Sequence, residues 1–268
     1  MVRSAADRVF LPAKGVFEQI GDMMILTGKT IMSALRPPYP YGGEFMSQFL
    51  FALRLCWFPL LISTLAFGYG APGLQAANFL SLFGALDRLG GFFVLASIRE
   101  FAPFVDAVVV VGVAGTAVTA DLGARKIREE LDALQVLGVD PIKNLVVPRF
   151  LALMLIAGLL DIYALIFGIF GGVVAEIVYH QPLAGFWATF FTNASVTDLW
   201  GSVVKTTMFG AIISIVCCYK GMTASGGAEG VGRAVNQAVV TALMGVFAFN
   251  YVFTQTLLAT HPEIQLIR

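Results

Sequence analysis

The apolar positions of this chain begin with a helical period and then merge into long runs. Within 4–35, Val9, Ala13, Val16, Phe17, Ile20, Met24, Ile31 and Leu35 recur at three- and four-residue spacing, interrupted by Asp7, Arg8, Lys14, Glu18, Asp22 and Lys29. That stripe predicts an amphipathic helix, lying in a membrane interface or packed against protein; amphipathicity alone does not separate the two. The run RPPYPYGG at 36–43 ends it, because proline and glycine break helices. Beyond it, 45–66, 101–122, 145–178, 202–222 and 234–259 are apolar runs with few or no charges. Each is long enough to cross a hydrocarbon core of about 30 Å as a helix. The run 145–178 exceeds one straight crossing at about 1.5 Å per residue. It is expected to tilt, to bend near Gly168, Gly171 and Gly172, or to extend past the bilayer.

A sixth apolar stretch, 79–98, is interrupted by Asp87, Arg88 and Gly90-Gly91, and charge placement decides how it is read. With five crossings, the segments on the N-terminal side (1–44, 123–149 and 219–233) hold 12 Lys/Arg and the opposite segments hold 3. Positive residues concentrate in cytoplasmic loops, which puts the N-terminus inside and the C-terminus outside. A sixth crossing would move the basic 123–149 loop outside, so 79–98 is read as an outer-surface or re-entrant helix. The 179–200 loop lacks Lys and Arg but carries Phe186, Trp187, Phe190, Phe191 and Trp200. It is an outer interfacial segment or an aromatic cluster packed on protein.

Composition agrees. Of 268 residues, 58% are hydrophobic and 13% charged, with a mean hydropathy of +0.82; soluble domains carry roughly 25% charged residues. The fold class expected is an all-α integral membrane protein, with an N-terminal interfacial helix, five transmembrane helices and a cytoplasmic helix between the second and third. A net charge of zero gives no basic field for nucleic acid. Cys56, Cys217 and Cys218 lie in apolar runs and read as small packing residues, without metal-ligand spacing. His180 and His261 stand apart from any Cys or carboxylate cluster, so no metal is expected. Arg3 and Arg8 have no apolar run directly behind them, so no cleavable secretory signal is expected.

Two cytoplasmic-side segments carry the functional information. GARKIREELDALQVLGVDPIKNLVVPR (123–149) predicts a helix over about 124–139, starting after Gly123 and stopped by Gly138 and Pro141. Ile127, Leu131, Leu134 and Leu137 form its apolar stripe. The stripe rests on lipid, or it docks in a groove of a cytoplasmic partner; periodicity leaves both readings open. The second, YKGMTASGGAEGVGRAVN (219–236), is glycine-rich without G-x-x-x-x-G-K-[ST] or a preceding strand. Its glycines read as a tight turn and close helix packing, not as a nucleotide cradle. Arg54, Asp106, Asp161 and Lys205 are intramembrane polar candidates, for function or for pairing with one another or at a subunit interface.

REFAPFVDAVVVVGVAGTAVTADLGARKIREELDALQVLGVDPIKNLVVPRFLA (99–152), followed by YKGMTASGGAEGVGRAVNQAVV (219–240), resembles the MlaE/YrbE family, the permease subunits of ATP-driven lipid transporters. The proline-rich lead-in at 36–43 is similar to actinobacterial YrbE proteins, which serve Mce lipid-import systems. The resemblance divides the chain into 1–44, an interfacial helix with its lead-in, and 45–268, the permease domain. It implies that Glu129, Glu130, Leu131, Ala133, Leu134 and Leu137 contact a cytoplasmic ABC ATPase and that Asp140-Pro141 set the helix exit. It further implies a second YrbE-type permease chain, extracytoplasmic Mce lipid-binding proteins, import of lipids such as fatty acids or sterols, and a place in the cytoplasmic membrane. The chain itself is then non-catalytic and carries no cofactor, with ATP and Mg bound on the partner ATPase. Two departures are Val113, where many relatives have Arg, and Val235-Asn236, where paired Thr is common.

Other classes remain. A secondary transporter predicts inverted repeats and interrupted helices, and no repeat is evident between the halves. A membrane enzyme needs convergent acid, base or metal ligands. A structural scaffold leaves the amphipathic 124–139 segment without a role.

Overall fold

The computed structural model describes residues 5–264, with side chains from Lys14 onward except Glu263. The stripe positions Val9 and Ala13, with Asp7 and Arg8, lie outside the described side chains. Helix α1 runs Ala5–Leu35, and the chain turns at Arg36–Tyr41. Five helices then follow that are long and apolar enough to cross a membrane. They are α2 (Gly42–Ser81), α3 (Leu86–Ile127), α5 (Ile142–Val178), α7 (Val196–Met222) and α8 (Gly227–Thr260). Two shorter helices, α4 (Glu130–Val136) and α6 (Leu183–Asn193), sit on opposite sides of this bundle.

Span existence follows the hydropathy runs, whereas span ends do not. The stretch 79–98 is not a separate helix. It is cut at a turn over Leu82–Ala85, where Gly84 takes φ +65; its first part finishes α2 and its second part begins α3. At 40 residues, α2 is roughly 60 Å long at the rise of a regular helix, twice a hydrocarbon core. The surplus exceeds one straight crossing, and beside it α6 caps the first turns of α3. Gly90 and Gly91 make the cap possible, since a Cβ on Gly90 would stand 1.9 Å from the Phe186 carbonyl oxygen. Phe186 and Phe190 are buried there while Phe191 is exposed, so the aromatic loop serves as packing and as outer surface at once.

The glycines of α5 hold helices close together. A Cβ on Gly68 would meet the Gly168 carbonyl oxygen at 2.4 Å, and one on Gly171 would meet the Tyr69 nitrogen at 2.5 Å. Helix α5 remains unbroken through all three glycines from Val147 to Val178; Gly168 and Gly171 serve the crossing with α2, and Gly172 makes room for the Phe93 ring of α3. The core is apolar, and Cys56, Cys217 and Cys218 are packed within it as free thiols. Helix α7 is the most enclosed of the five long helices; α2 and α8 leave most of their apolar surface uncovered.

Helix α1 lies across one end of the bundle. The Tyr219 hydroxyl and Lys220 Nζ, at the end of α7, reach Asp22 and Gln19 at 3.1 and 2.8 Å. Lys143, at the start of α5, donates to the Arg36 carbonyl at 3.2 Å. Contacts near both ends of 19–36 are therefore with helix termini on the same side. The stripe residues Val16, Phe17, Ile20, Met24, Ile31 and Leu35 are exposed, while Leu26 and Thr30 are buried. An apolar face left largely uncovered on a helix strapped across span ends is the geometry of an interfacial helix.

Candidate functional site: a two-jointed helix and a buried polar cluster

The segment 124–139 is two pieces, not one helix. Helix α3 continues through Gly123 to Ile127, because the span's hydrogen-bond ladder runs on into polar sequence. The Arg128 backbone then leaves the helix (ψ 7), and Glu129 adopts the left-handed region at φ 60. Helix α4 begins at Glu130 and ends in a Schellman closure: the Val139 N–H donates to the Leu134 carbonyl and the Gly138 N–H to that of Gln135, with Gly138 at φ 75. The Asp140 carboxylate accepts the Ile142 N–H at 2.9 Å, capping the start of α5, and Pro141 is buried.

The break rotates the expected stripe. Leu131 is buried, Leu134 packs on this chain's own core, and Leu137 is exposed. Val136, which the stripe did not include, is 87% exposed. Ala133 and Glu129 are exposed, Glu130 pairs with Arg128 at 2.7 Å, and Asp132 with Lys126 at 3.0 Å. The surface offered outward is thus Ala133, Val136 and Leu137, rimmed by these charges.

At the start of α5 sits Arg149, 1% exposed and the largest fully buried side chain among the described residues. Its guanidinium donates to Asp121 Oδ2 at 2.6 Å and to the Leu145 carbonyl at 2.8 Å, and lies 3.6 Å from Glu44. One side chain ties the start of α2, the end of α3 and the start of α5. Planar, forked donors suit arginine to this task. The residue stood in the quoted PR run, but only tertiary contact shows its partners.

The intramembrane candidates separate. Arg54 is exposed on α2 and makes no ion pair or hydrogen bond among the described residues. Asp106 is fully buried with neither carboxylate oxygen bonded. Asp161 accepts a hydrogen bond from the Ser202 hydroxyl at 2.8 Å. Lys205 donates to the Arg99 carbonyl, to Thr254 at 3.1 Å and to Glu100 at 3.4 Å. Among the described residues none of the four forms an ion pair with another.

Instead, Lys205 belongs to a cluster toward the α6 side of the bundle that the sequence reading did not assemble. Glu100 accepts from Asn250 and Thr254 of α8 at 2.8 and 2.9 Å, and Arg99 pairs with Asp198 at 2.7 Å. Asp198 closes a reciprocal cap with Ser195 at the start of α7. Arg99 and Glu100 end a wide-turn segment, Val94–Phe101, of the kind that redirects side chains within a helix. Val113 also lies in a wide-turn segment, Val110–Gly115, half-buried against the core, so no charge enters there. Among the described residues no group of three or more His, Cys, Asp or Glu could hold a metal.

The sequence profile described as "Permease MlaE" matches residues 45–256. A probable ABC transporter permease protein of Rickettsia typhi is 31% identical over 90% of this chain and 92% of its own length. One of Synechocystis is 38% identical over 66% of this chain and 68% of its own. The chloroplastic protein TRIGALACTOSYLDIACYLGLYCEROL 1 of Arabidopsis thaliana is 34% identical over 68% of this chain and 52% of its own. Five apolar helices of spanning length, matched over nearly their whole extent by one permease profile, make this a multi-pass membrane protein and a member of the MlaE permease family.

Proposed function

We propose that the chain is the membrane-spanning subunit of an ATP-driven lipid transporter, with α4 as the element that receives a cytoplasmic ABC ATPase. The observation that carries this reading is α4 itself. It is a short helix held between two long spans, with Val136 and Leu137 exposed amid charged residues. Exposed apolar residues rimmed by charge fit insertion into a partner's groove. An element continuous with two spans passes a partner's closure to the membrane part as rigid-body displacement. The ABC transporter names of the bacterial relatives support an ATPase partner, which would carry the ATP and Mg, leaving this chain non-catalytic.

The finer parts of the reading belong to the same proposal. The substrate is an amphipathic lipid, such as a fatty acid or sterol, taken inward through an Mce-type assembly. A second YrbE-type chain completes the pathway, and the uncovered apolar faces of α2 and α8 leave room for it. The N-terminus and α4 are cytoplasmic and the C-terminus extracytoplasmic, on the distribution of basic residues.

The test places charge on the exposed pair and spares the residues that pack inward. Val136→Glu with Leu137→Glu is expected to leave expression and thermal stability unchanged while abolishing co-purification of the ATPase and ATP-dependent lipid uptake. Undiminished co-purification with normal uptake would overturn the assignment of α4.

A further inference from the structure

Two cavities adjoin where α1 meets the end of α7, the first between α7 and the start of α8 and the second beneath α1, and they differ in chemistry. The first, about 310 Å3, is polar and is lined by Gln19, Lys220, Thr223, Arg233 and Gln237 among others. The second, about 480 Å3, is apolar and runs under α1 between α5 and α7, with Ile20, Met24, Ile31, Met154, Ile212 and Ile215 in its walls. They are continuous in the chain: Gln19 lines one and Ile20 the other, and Val216 of the second stands one helical turn from Lys220 of the first. From Val216 to Met208 the groove follows α7 for roughly 12 Å toward the middle of the span. Its size lies within the range of small-molecule sites, about 300–1,000 Å3.

Charge distinguishes the occupant. Lys220 is 7% exposed, and its ammonium bonds only neutral oxygens, those of Gln19 at 2.8 Å and Gln237 at 3.5 Å. No carboxylate pairs with it among the described residues. The acidic groups nearby are engaged elsewhere, Asp22 by the Tyr219 hydroxyl at 3.1 Å and Glu229 by Arg233 at 2.6 Å. A buried cation without a counter-charge is costly, and an anion in the polar cavity removes that cost. The polar cavity lies at the end of the α7 span and the groove runs from there toward its middle, the order of a headgroup and its acyl chain.

We propose that an anionic phospholipid from the leaflet on the α4 side seats its phosphate against Lys220 in the polar cavity, with one acyl chain in the groove beneath α1. The site depends on membrane embedding and not on an ATPase partner or a transport direction, so it stands or falls separately from the function proposed above.

The full chain, purified in mild detergent with equal amounts of phosphatidylglycerol and phosphatidylcholine of matched chains, is examined by native mass spectrometry. Retention of phosphatidylglycerol at least tenfold above phosphatidylcholine is expected. Lys220→Gln is expected to bring the ratio near one, and Met208→Trp, which fills the groove, to reduce retention of phosphatidylglycerol. If Lys220→Gln fails to fold, Gln237→Glu, which gives Lys220 a counter-charge in the same cavity, carries the same test. Equal retention of the two lipids by the unaltered chain, or a preference that survives the polar-cavity substitution, overturns the headgroup assignment. Inorganic phosphate that raises the melting midpoint of the unaltered chain and of Met208→Trp equally, with no lipid retained, makes the ligand free phosphate and overturns the proposal.

Discussion

At the scale of single residues, buried charge is treated in opposite ways at one end of the bundle and in the middle of α3. Arg149 has both terminal nitrogens engaged, by the Leu145 carbonyl and by Asp121 with Glu44 nearby, while its Nε stays unbonded. Asp121 and Glu44 reach solvent, so removing Arg149 costs the hydrogen bonds that join three helix ends and leaves a cavity, more than it strands a charge. Arg149→Ala is therefore expected to lower the thermal midpoint strongly in detergent, and Arg149→Lys to fall between, since an ammonium lacks the fork that spans several acceptors. A midpoint unchanged by Arg149→Ala would show that the three helix ends hold together without it. Asp106 is the reverse case, a buried carboxylate with no bonded oxygen. Sequence position alone ranked Asp106 and Lys205 as equals. Only packing reveals that Lys205 is satisfied by Glu100, Thr254 and a backbone carbonyl while Asp106 is left alone, because a hydropathy run carries no information about which helix stands opposite.

At the scale of elements, close approach between helices rests on absent side chains. Gly68 sits against the Gly168 backbone, where an added methyl would be 2.4 Å from a carbonyl oxygen. Gly21 of α1 has nothing within 4 Å. Gly68→Ala is expected to force α2 from α5 and lower stability, whereas Gly21→Ala is expected to raise it by about 0.5–1 kcal/mol through reduced chain entropy. Thermal unfolding of the two variants side by side checks both signs. The existence of every long helix was legible in the sequence, because a bilayer-length apolar run is a strong signal. Their ends were not. Arg99 and Glu100 read as leaving the membrane, yet they stay helical because Asp198, Asn250 and Thr254 meet them there. The 124–139 segment carried a correct stopping signal at Gly138 and a misleading start at Gly123, where the preceding span continues without a break. Its stripe was drawn on one straight helix, so the turn at Arg128–Glu129 altered which residues face outward.

At the scale of the whole molecule, α4 and α6 occupy opposite ends of the bundle, and sidedness is directly measurable. In a cysteine-free background, Val136→Cys is expected to react with a membrane-impermeant maleimide only after the cells are opened. Phe191→Cys, exposed on α6, is expected to react in intact cells. The reverse pattern would invert the molecule and remove the cytoplasmic partner from α4. The two left-handed residues flanking α4, Glu129 and Gly138, have a mechanical consequence. They interrupt the helical ladder on both sides of α4, so its angle to the bundle is set not by the spans it joins but by local ties: the Arg128–Glu130 and Lys126–Asp132 pairs, and Leu131 and Leu134 packed inward.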